Sequence, residues 1–533
     1  MIERPLHSDH PEAFVENYLR ALGNPSLQKA LATATGKALD SREQAVAQMG
    51  EESWEHLRER ARAIKEHTID NLDYYLAQLA ANVESSGGHV FWAQTSADAR
   101  RYITELAGRR KVKVAVKGKS MMTEEIELNH ALEAAGIEAV ETDLGEYIVQ
   151  LARERPSHIN MPAIHKTRAD VADLFTEKLG VERNEDISQM AGLARRVLRQ
   201  RFAEAQMGIT GVNYAVAETG TVVLVENEGN IRLTTSLPRL HVAVMGIEKV
   251  IPQLDDLDVF MKLLSRSASG QKICSYVSFL TGVKTSQQEE GPDEFHLVIL
   301  DNGRVEMLAN PHLRESLFCI RCGACLNVCP VYQKIGGHAY GWVYPGPIGA
   351  VLTPQIIGRQ RAAALPFASS LCGACRDVCP VKINLPEMLL HLRYEIREPG
   401  RAAPSGGNHV AENSPGNHPA DAHGVAPRAK EAGGPLFAAP RIDRVAKFLE
   451  HSVFRFWAAA MKTSFRYRMA ARAALVAQAL FGSRNKDGAR VFSFPRWTTT
   501  RDMPPLAARS FRARWPELIK NVEDNAAGTQ SRG

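Results

Sequence analysis

Cys319-Ile320-Arg321-Cys322-Gly323-Ala324-Cys325-Leu326-Asn327-Val328-Cys329-Pro330 is the stretch from which the organisation of this 533-residue chain is read. After 42 intervening residues a second run follows Cys329, and its first cysteine is Cys372. It reads Ser369-Ser370-Leu371-Cys372-Gly373-Ala374-Cys375-Arg376-Asp377-Val378-Cys379-Pro380, with Ser369 where the first cysteine of the repeat would stand. Seven of the eight cysteines lie in this window, and the eighth is Cys274. Clustering of this kind in an intracellular chain points to metal rather than disulfides.

The first run has the spacing C-x2-C-x2-C-x3-C-P, which is the iron–sulfur run of bacterial two-cluster ferredoxins. Two-residue gaps let a tight turn bring three sulfurs to three corners of one cube. Small Gly323 and Ala324 let the backbone wrap it closely. The fourth cysteine lies beyond reach of that cube and serves the other one. The interleaved assignment gives cluster one Cys319, Cys322, Cys325 and Cys379, and gives cluster two Cys329, Cys372 and Cys375, one ligand short. Ser369, Cys274 or a water can fill that corner. It can also stay empty, giving a three-iron cluster, or take a partner or substrate. The competing reading is a structural zinc site, but zinc prefers pairs of C-x2-C set apart. Two adjacent [4Fe–4S] clusters suit one-electron transfer. The aromatics of the intervening GGHAYGWVYPGPIG (336–349) are expected either to shield the clusters or simply to pack.

Working outward, hydrophobic residues are 44% and charged residues 23%, ordinary for a globular chain. That excludes a disulfide scaffold, collagen and wholesale disorder. Residues 11–84 carry apolar positions at helical spacing, so 1–85 is expected to be a helical extension. From residue 86 strands and helices alternate. Strands are expected at 89–94, 111–118, 137–143 and 295–302, and strands with turns over the Val-rich, Gly-interrupted segments 212–227 and 241–251. Helices are expected at 96–106, 122–136, 168–179, 187–206 and 257–264. That order predicts an α/β domain with a parallel sheet over 86–310. The cysteine-rich domain is then 311–396. Residues 397–440 hold seven prolines and seven glycines and read as a linker. The segment 441–533 has 18 Lys+Arg against 7 Asp+Glu, a basic helical appendage on a mildly acidic body. Its arginines alternate with Phe454, Phe456, Trp457, Phe465 and Tyr467, which predicts docking on a partner, with membrane-surface contact second. No nucleic-acid module accompanies it. The longest apolar stretch, Ala473–Phe481, falls short of the roughly 18 residues of a membrane span. With no secretory h-region at the N-terminus, the expected location is the cytoplasm, peripheral contact with the inner membrane face included.

Several polar residues outside the cysteines are candidates for contact with a ligand. Lys117, Lys119 and Ser120 follow a predicted strand, where open α/β sheets bind ligands. Glu218 sits in the AETGT turn. His165, Lys166, Arg168, Arg232, Arg239 and His241 offer positive charge for a carboxylate, with capping or solvated surface the commoner roles. Cys274 reads first as a small buried residue. No GxGxxG, Walker or flavin pattern occurs, and no catalytic residue is readable.

Taken together, CIRCGACLNVCPVY, GHAYGWVYPGPIGAVLTP and SSLCGACRDVCPVKINLPEMLL resemble the lactate utilisation protein B family. The upstream segments VKGKSMMTEEIELNHALEAAGIEAVETDLGEYIVQL, HINMPAIHKTRADV and ETGTVVLVENEGNIRL resemble its LUD domain, whose sheet is similar to the CoA-transferase and ribose-5-phosphate isomerase group. The resemblance implies an electron-transfer subunit, itself non-catalytic, of a system oxidising L-lactate to pyruvate. It also implies a cysteine-rich protein and a second LUD-domain protein as partners. The serine at 369 is itself like the family. Other readings are a subunit acting on glycolate or another 2-hydroxy acid, a heterodisulfide-reductase-like module, and a ligand-binding protein with structural clusters.

Overall fold

The computed structural model describes residues 10–287, 290–397 and, beyond them, 452, 455–484, 490–492, 505–507, 509 and 514–515. The expected linker beyond residue 397, half of the VAKFLEHSVFRFWAAAMK pattern and the first nine residues lie outside the described residues. The chain divides into two compact units, Met1–Ala411 and Glu412–Gly533.

Among the described residues of the first unit there are ten strands: β1 His89–Ala93, β2 Val114–Lys117, β3 Glu138–Glu141, β4 Met207–Gly211, β5 Tyr214–Val216, β6 Thr221–Glu226, β7 Leu240–Gly246, β8 Val250–Ile251, β9 Tyr276–Leu280 and β10 Glu294–Leu300. Six form one parallel sheet in the order β1-β10-β7-β4-β2-β3. The other four form a smaller sheet in the order β8-β5-β6-β9. Helices cover both faces of the large sheet. Its central strand β7 is therefore buried at every residue and reads as a continuous apolar run rather than an alternation.

The sequence pattern misses β4, the strand Met-Gly-Ile-Thr-Gly. Glycine lowers strand propensity, but here it is required by packing. A Cβ on Gly208 would stand 1.9 Å from the carbonyl oxygen of Thr234. The segment 212–227, expected as strands and turns, is the β5–β6 hairpin, in which Val216 pairs with Thr221. The run expected over 241–251 ends as β7 at Gly246, turns, and resumes as β8 in the other sheet.

Helix starts follow the side-chain chemistry. Thr95 and Asp98 form a capping box at Ser96–Arg109, and Thr167 and Asp170 do the same at Arg168–Leu179. Helices Phe14–Leu22, Pro25–Met49, Glu51–Asp70 and Leu72–Ser85 form the N-terminal layer. Its inner residues Leu27, Leu31, Trp54 and Leu79 share one core with the second sheet and the cysteine region. In the second unit, Thr463 caps the helix Ser464–Phe481, which carries exposed Phe465 and Tyr467. Among the described residues no helix is long and apolar enough to cross a membrane.

Candidate iron–sulfur centre

The two cysteine runs fold as two copies of one turn. Arg321 and Leu371, each just before the second position of its run, both take left-handed backbone angles, with φ of 61° and 56°. Gly323 and Gly373 follow at 86° and 90°, a conformation that disfavours any Cβ, and each opens a short helix. The first positions also correspond. Cys319 Sγ accepts the Arg321 N–H at 3.4 Å, and Ser369 Oγ accepts the Leu371 N–H at 3.1 Å. Ser369 therefore stands in its turn as Cys319 stands in its own.

The thiols fall into neighbourhoods. Burial first, then Cys379 and Cys319, raise the Cys322 thiol above its usual range. Burial and Cys319 push Cys379 up to about 11. Burial and then Cys319, Cys322 and Cys375 hold Cys325 well above the normal thiol range. On the other side, burial and then Cys329 and Cys372 push Cys375 up to about 12, and burial and Cys372 raise Cys329. Cys274 is held elsewhere. Burial raises its thiol, Ser265 hydrogen-bonds to it, and its neighbour is Tyr214 rather than the Cys329–Cys372–Cys375 group.

The surroundings suit a sulfur-rich anionic group. Among the described residues, Tyr214 Oη, Tyr340 Oη and Arg321 Nη1 are buried with no hydrogen-bond partner. Tyr214 lies beside Cys322 and Cys319, Tyr340 beside Cys329 and Cys325, and Arg321 beside Cys319. Buried donors without acceptors are costly, and the sulfurs of a cluster held by these cysteines would offer them acceptors. Tyr332, Tyr340 and Tyr344 are all fully buried, and Cys322, Cys329, Cys375 and Cys379 are buried with them, whereas Cys319 and Cys325 are half-buried and Cys372 is exposed.

The sequence reading passed over the residues that position this centre. Arg58 donates to the carbonyl oxygen of Cys379 through Nε (3.0 Å) and Nη2 (2.9 Å), and Arg62 to that of Lys382 at 2.8 Å. Asn160 donates to the Cys322 carbonyl. These partners are 162 to 321 residues away in sequence, so no local pattern marks them. Behind the first turn sits a buried charge network. Arg304 pairs with Glu125 at 2.8 Å and with Glu248 at 2.7 Å, and Arg321 pairs with Glu248 at 3.2 Å. Tyr344 donates to Glu125 at 2.6 Å. Burial acts to raise both carboxyls, but Arg304 outweighs it, and Glu248 is held down at about 2.

A cavity of about 400 Å³ adjoins the first turn. It lies where β2 runs on toward the sheet edge at β3 while β4 leads back, through the second sheet, to β7. That is the crevice at the carboxyl ends of parallel strands where open α/β sheets bind ligands. Lys119, Ser120, Gly211, Lys249, Arg321 and Cys322 all line it. Gly211 is needed there, because a Cβ would stand 2.4 Å from Ser120 Oγ.

The remaining candidates have other partners. Lys117 is buried and pairs with Glu141 at 2.6 Å and Asn129 at 2.5 Å. Glu218 accepts the Leu254 N–H at 3.0 Å. Arg168 pairs with Glu185, and exposed Arg239 with Asp293. The backbone N–H of Arg232 donates to Glu226. His241 is buried against Thr210 at 2.9 Å, and burial lowers it to about 3, so it stays neutral. His165 and Lys166 both bind Glu154, at 2.7 and 2.5 Å. Burial raises Glu154, but these two partners outweigh it and bring its carboxyl down to about 2. Its folded value lies below its unfolded one, so it stabilises above about pH 4.5 and that contribution fades as the pH falls toward 2. Glu154→Gln is expected to lower stability at pH 7 by roughly 1–3 kcal/mol. Urea unfolding should show the wild-type–variant gap narrowing from pH 6 to pH 3.5, and a constant gap would contradict the assignment.

Fold and site together define a LUD-domain protein joined to an iron–sulfur dicluster module. The chain matches the LUD domain family over residues 76–300 and the 4Fe-4S dicluster domain over residues 315–383. It is 48% identical over 377 residues to lactate utilization protein B 2 of Bacillus mycoides, which covers 70% of this chain and 79% of that one. It is 49% identical over the same length to lactate utilization protein B of Bacillus cytotoxicus, with the same coverage. The chain belongs to the lactate utilization protein B family. Among solved structures it is similar to a DUF162 family protein from Deinococcus radiodurans, at 10% identity and a TM-score of 0.24, covering 43% of this chain and 98% of that one.

Proposed function

We propose that this protein is the iron–sulfur electron carrier of a system that oxidises L-lactate to pyruvate. Family membership supports the lactate-utilisation role. The observation that supports electron transfer is the pairing of two thiol neighbourhoods, each drawing a buried cysteine from the other run: Cys379 beside Cys322, and Cys329 beside Cys375. Cys319, Cys322, Cys325 and Cys379 would hold one [4Fe–4S] cluster. Cys329, Cys372 and Cys375 would hold the second, with Ser369 Oγ as the fourth donor. When bound, such clusters accept and release single electrons. The protein's own part is to exclude water with Tyr332, Tyr340 and Tyr344 and to set the ligand loops through Arg58, Arg62 and Asn160. Dehydrogenation then falls to a partner, and the cysteine-rich and LUD-domain proteins implied by the family resemblance are the proposed partners. The basic C-terminal segment is the proposed docking region, with the inner membrane face as a second surface.

Anaerobically purified protein is expected to carry roughly eight irons, with EPR spectra of two coupled cubes after reduction. Ser369→Ala is expected to give a three-iron signal when oxidised, and Ser369→Cys to keep the full iron content. Zinc with little iron would sink the reading. An unchanged spectrum in Ser369→Ala would remove the serine from the ligand set.

A further inference from the structure

The cavity at the carboxyl ends of β2, β4 and β7 has no part in carrying electrons between clusters, yet its charges are specific. Lys119 reaches it from the loop after β2, and Lys249 from the turn after β7. Neither lysine has a hydrogen bond or ion pair to another described residue, and Lys249 is only 8% exposed. Glu248, the carboxylate near Lys249, is already bound by Arg304 and Arg321, so an anion in the cavity would give the Lys249 ammonium a direct partner of its own.

The other wall is acidic and held in place. Asp143 accepts the Glu146 N–H at 3.1 Å, and Glu228 accepts the Leu144 N–H at 3.0 Å. Glu226 accepts the N–H groups of Ile231 and Arg232 at 2.7 and 2.8 Å. A polyanion such as a phosphate ester would meet three carboxylates here. A ligand with one carboxylate and a neighbouring hydroxyl donor matches both walls. The volume of about 400 Å³ sits at the small end of ligand pockets, which run to roughly 1,000 Å³.

We propose that this cavity binds a small 2-hydroxy monocarboxylate, its carboxylate between Lys119 and Lys249 and its hydroxyl toward the acidic wall, next to the first cysteine turn. The choice of ligand class rests on the L-lactate reading above; the binding wall does not.

The test is calorimetric titration of L-lactate and glycolate into the full-length, cluster-loaded protein, with EPR of the reduced protein with and without each acid. Saturable L-lactate binding is expected, weakened at least tenfold in Lys249→Met and in Lys119→Met, and largely restored in Lys249→Arg. Iron content should stay at the wild-type level in all three. If Lys249→Met does not fold, Lys119→Met, on the half-buried side of the wall, carries the test. Absence of binding by either acid, or equal affinity in wild type and Lys119→Met, would overturn the proposal. The two readings fail separately. Full iron with no ligand binding leaves the electron carrier and removes the cavity. Lysine-dependent L-lactate binding by a protein without iron does the reverse.

Discussion

Replacing Arg304 with leucine is expected to cost roughly 3–5 kcal/mol of folding stability, because it leaves two buried carboxylates without their cation. Glu125 and Glu248 are both buried, and the Arg304 guanidinium reaches Glu125 through Nη1 (2.9 Å) and Nη2 (2.8 Å) and Glu248 through Nε (2.7 Å). The effect should extend beyond the α/β domain. Glu248 also holds Arg321 of the first cysteine turn, Glu125 accepts from Tyr344 of the segment between the two runs, and Lys65 donates to the Glu248 carbonyl at 2.6 Å. Loss of this junction should therefore lower iron content as well as the urea midpoint. Adding Glu125→Gln to the leucine variant removes one stranded charge and should recover part of the loss. A midpoint change worth less than about 1 kcal/mol in the single variant would show that water reaches the network and screens it.

The second large effect is expected at the crossed cysteines. Cys379→Ala and Cys329→Ala each remove a thiol that sits in one run but, in the proposed ligand set, serves the cluster of the other. Each should lose roughly four of about eight irons, and the two should lose different EPR signals. Cys379→Ala should abolish the signal of the cluster held by Cys319, Cys322 and Cys325. Cys329→Ala should abolish that of the cluster held by Cys372 and Cys375. If each variant instead lost the cluster of its own run, the ligands would not be crossed. Cys274→Ala provides the contrast. Its thiol is hydrogen-bonded with Ser265, outside the Cys329–Cys372–Cys375 group, so full iron is expected.

What could be read in the sequence was what depends on local spacing. Two-residue gaps between cysteines, with glycine at the turn, specify a cluster-binding loop whatever the rest of the chain does. Alternation of Val-rich runs with helical periods specified the parallel sheet. The second sheet was only partly legible, because β8 has two residues and β9, Tyr276–Leu280, has no buried residue to mark a core face. Lys117 shows where local reading stops. A lysine after a strand looks like a ligand-binding cation, and only the neighbouring strand β3 supplies the Glu141 that neutralises it. Ser369 shows the reverse. As a letter it is a missing ligand, but the repeated left-handed turn gives its hydroxyl the position of a sulfur.

Composition and spacing by themselves determined that the protein binds metal through cysteine, that an α/β domain precedes that site, and that a basic segment follows it. Those properties are carried by residues within a few positions of one another, so they survive without knowledge of the fold. Tertiary structure decided which thiols are neighbours, that Arg58, Arg62 and Asn160 secure their loops, and that Lys249 and Lys119 face one cavity beside Cys322. Those groups come from strands and helices far apart in sequence. Only the folding of the sheet and the packing of the cysteine domain against it bring them together.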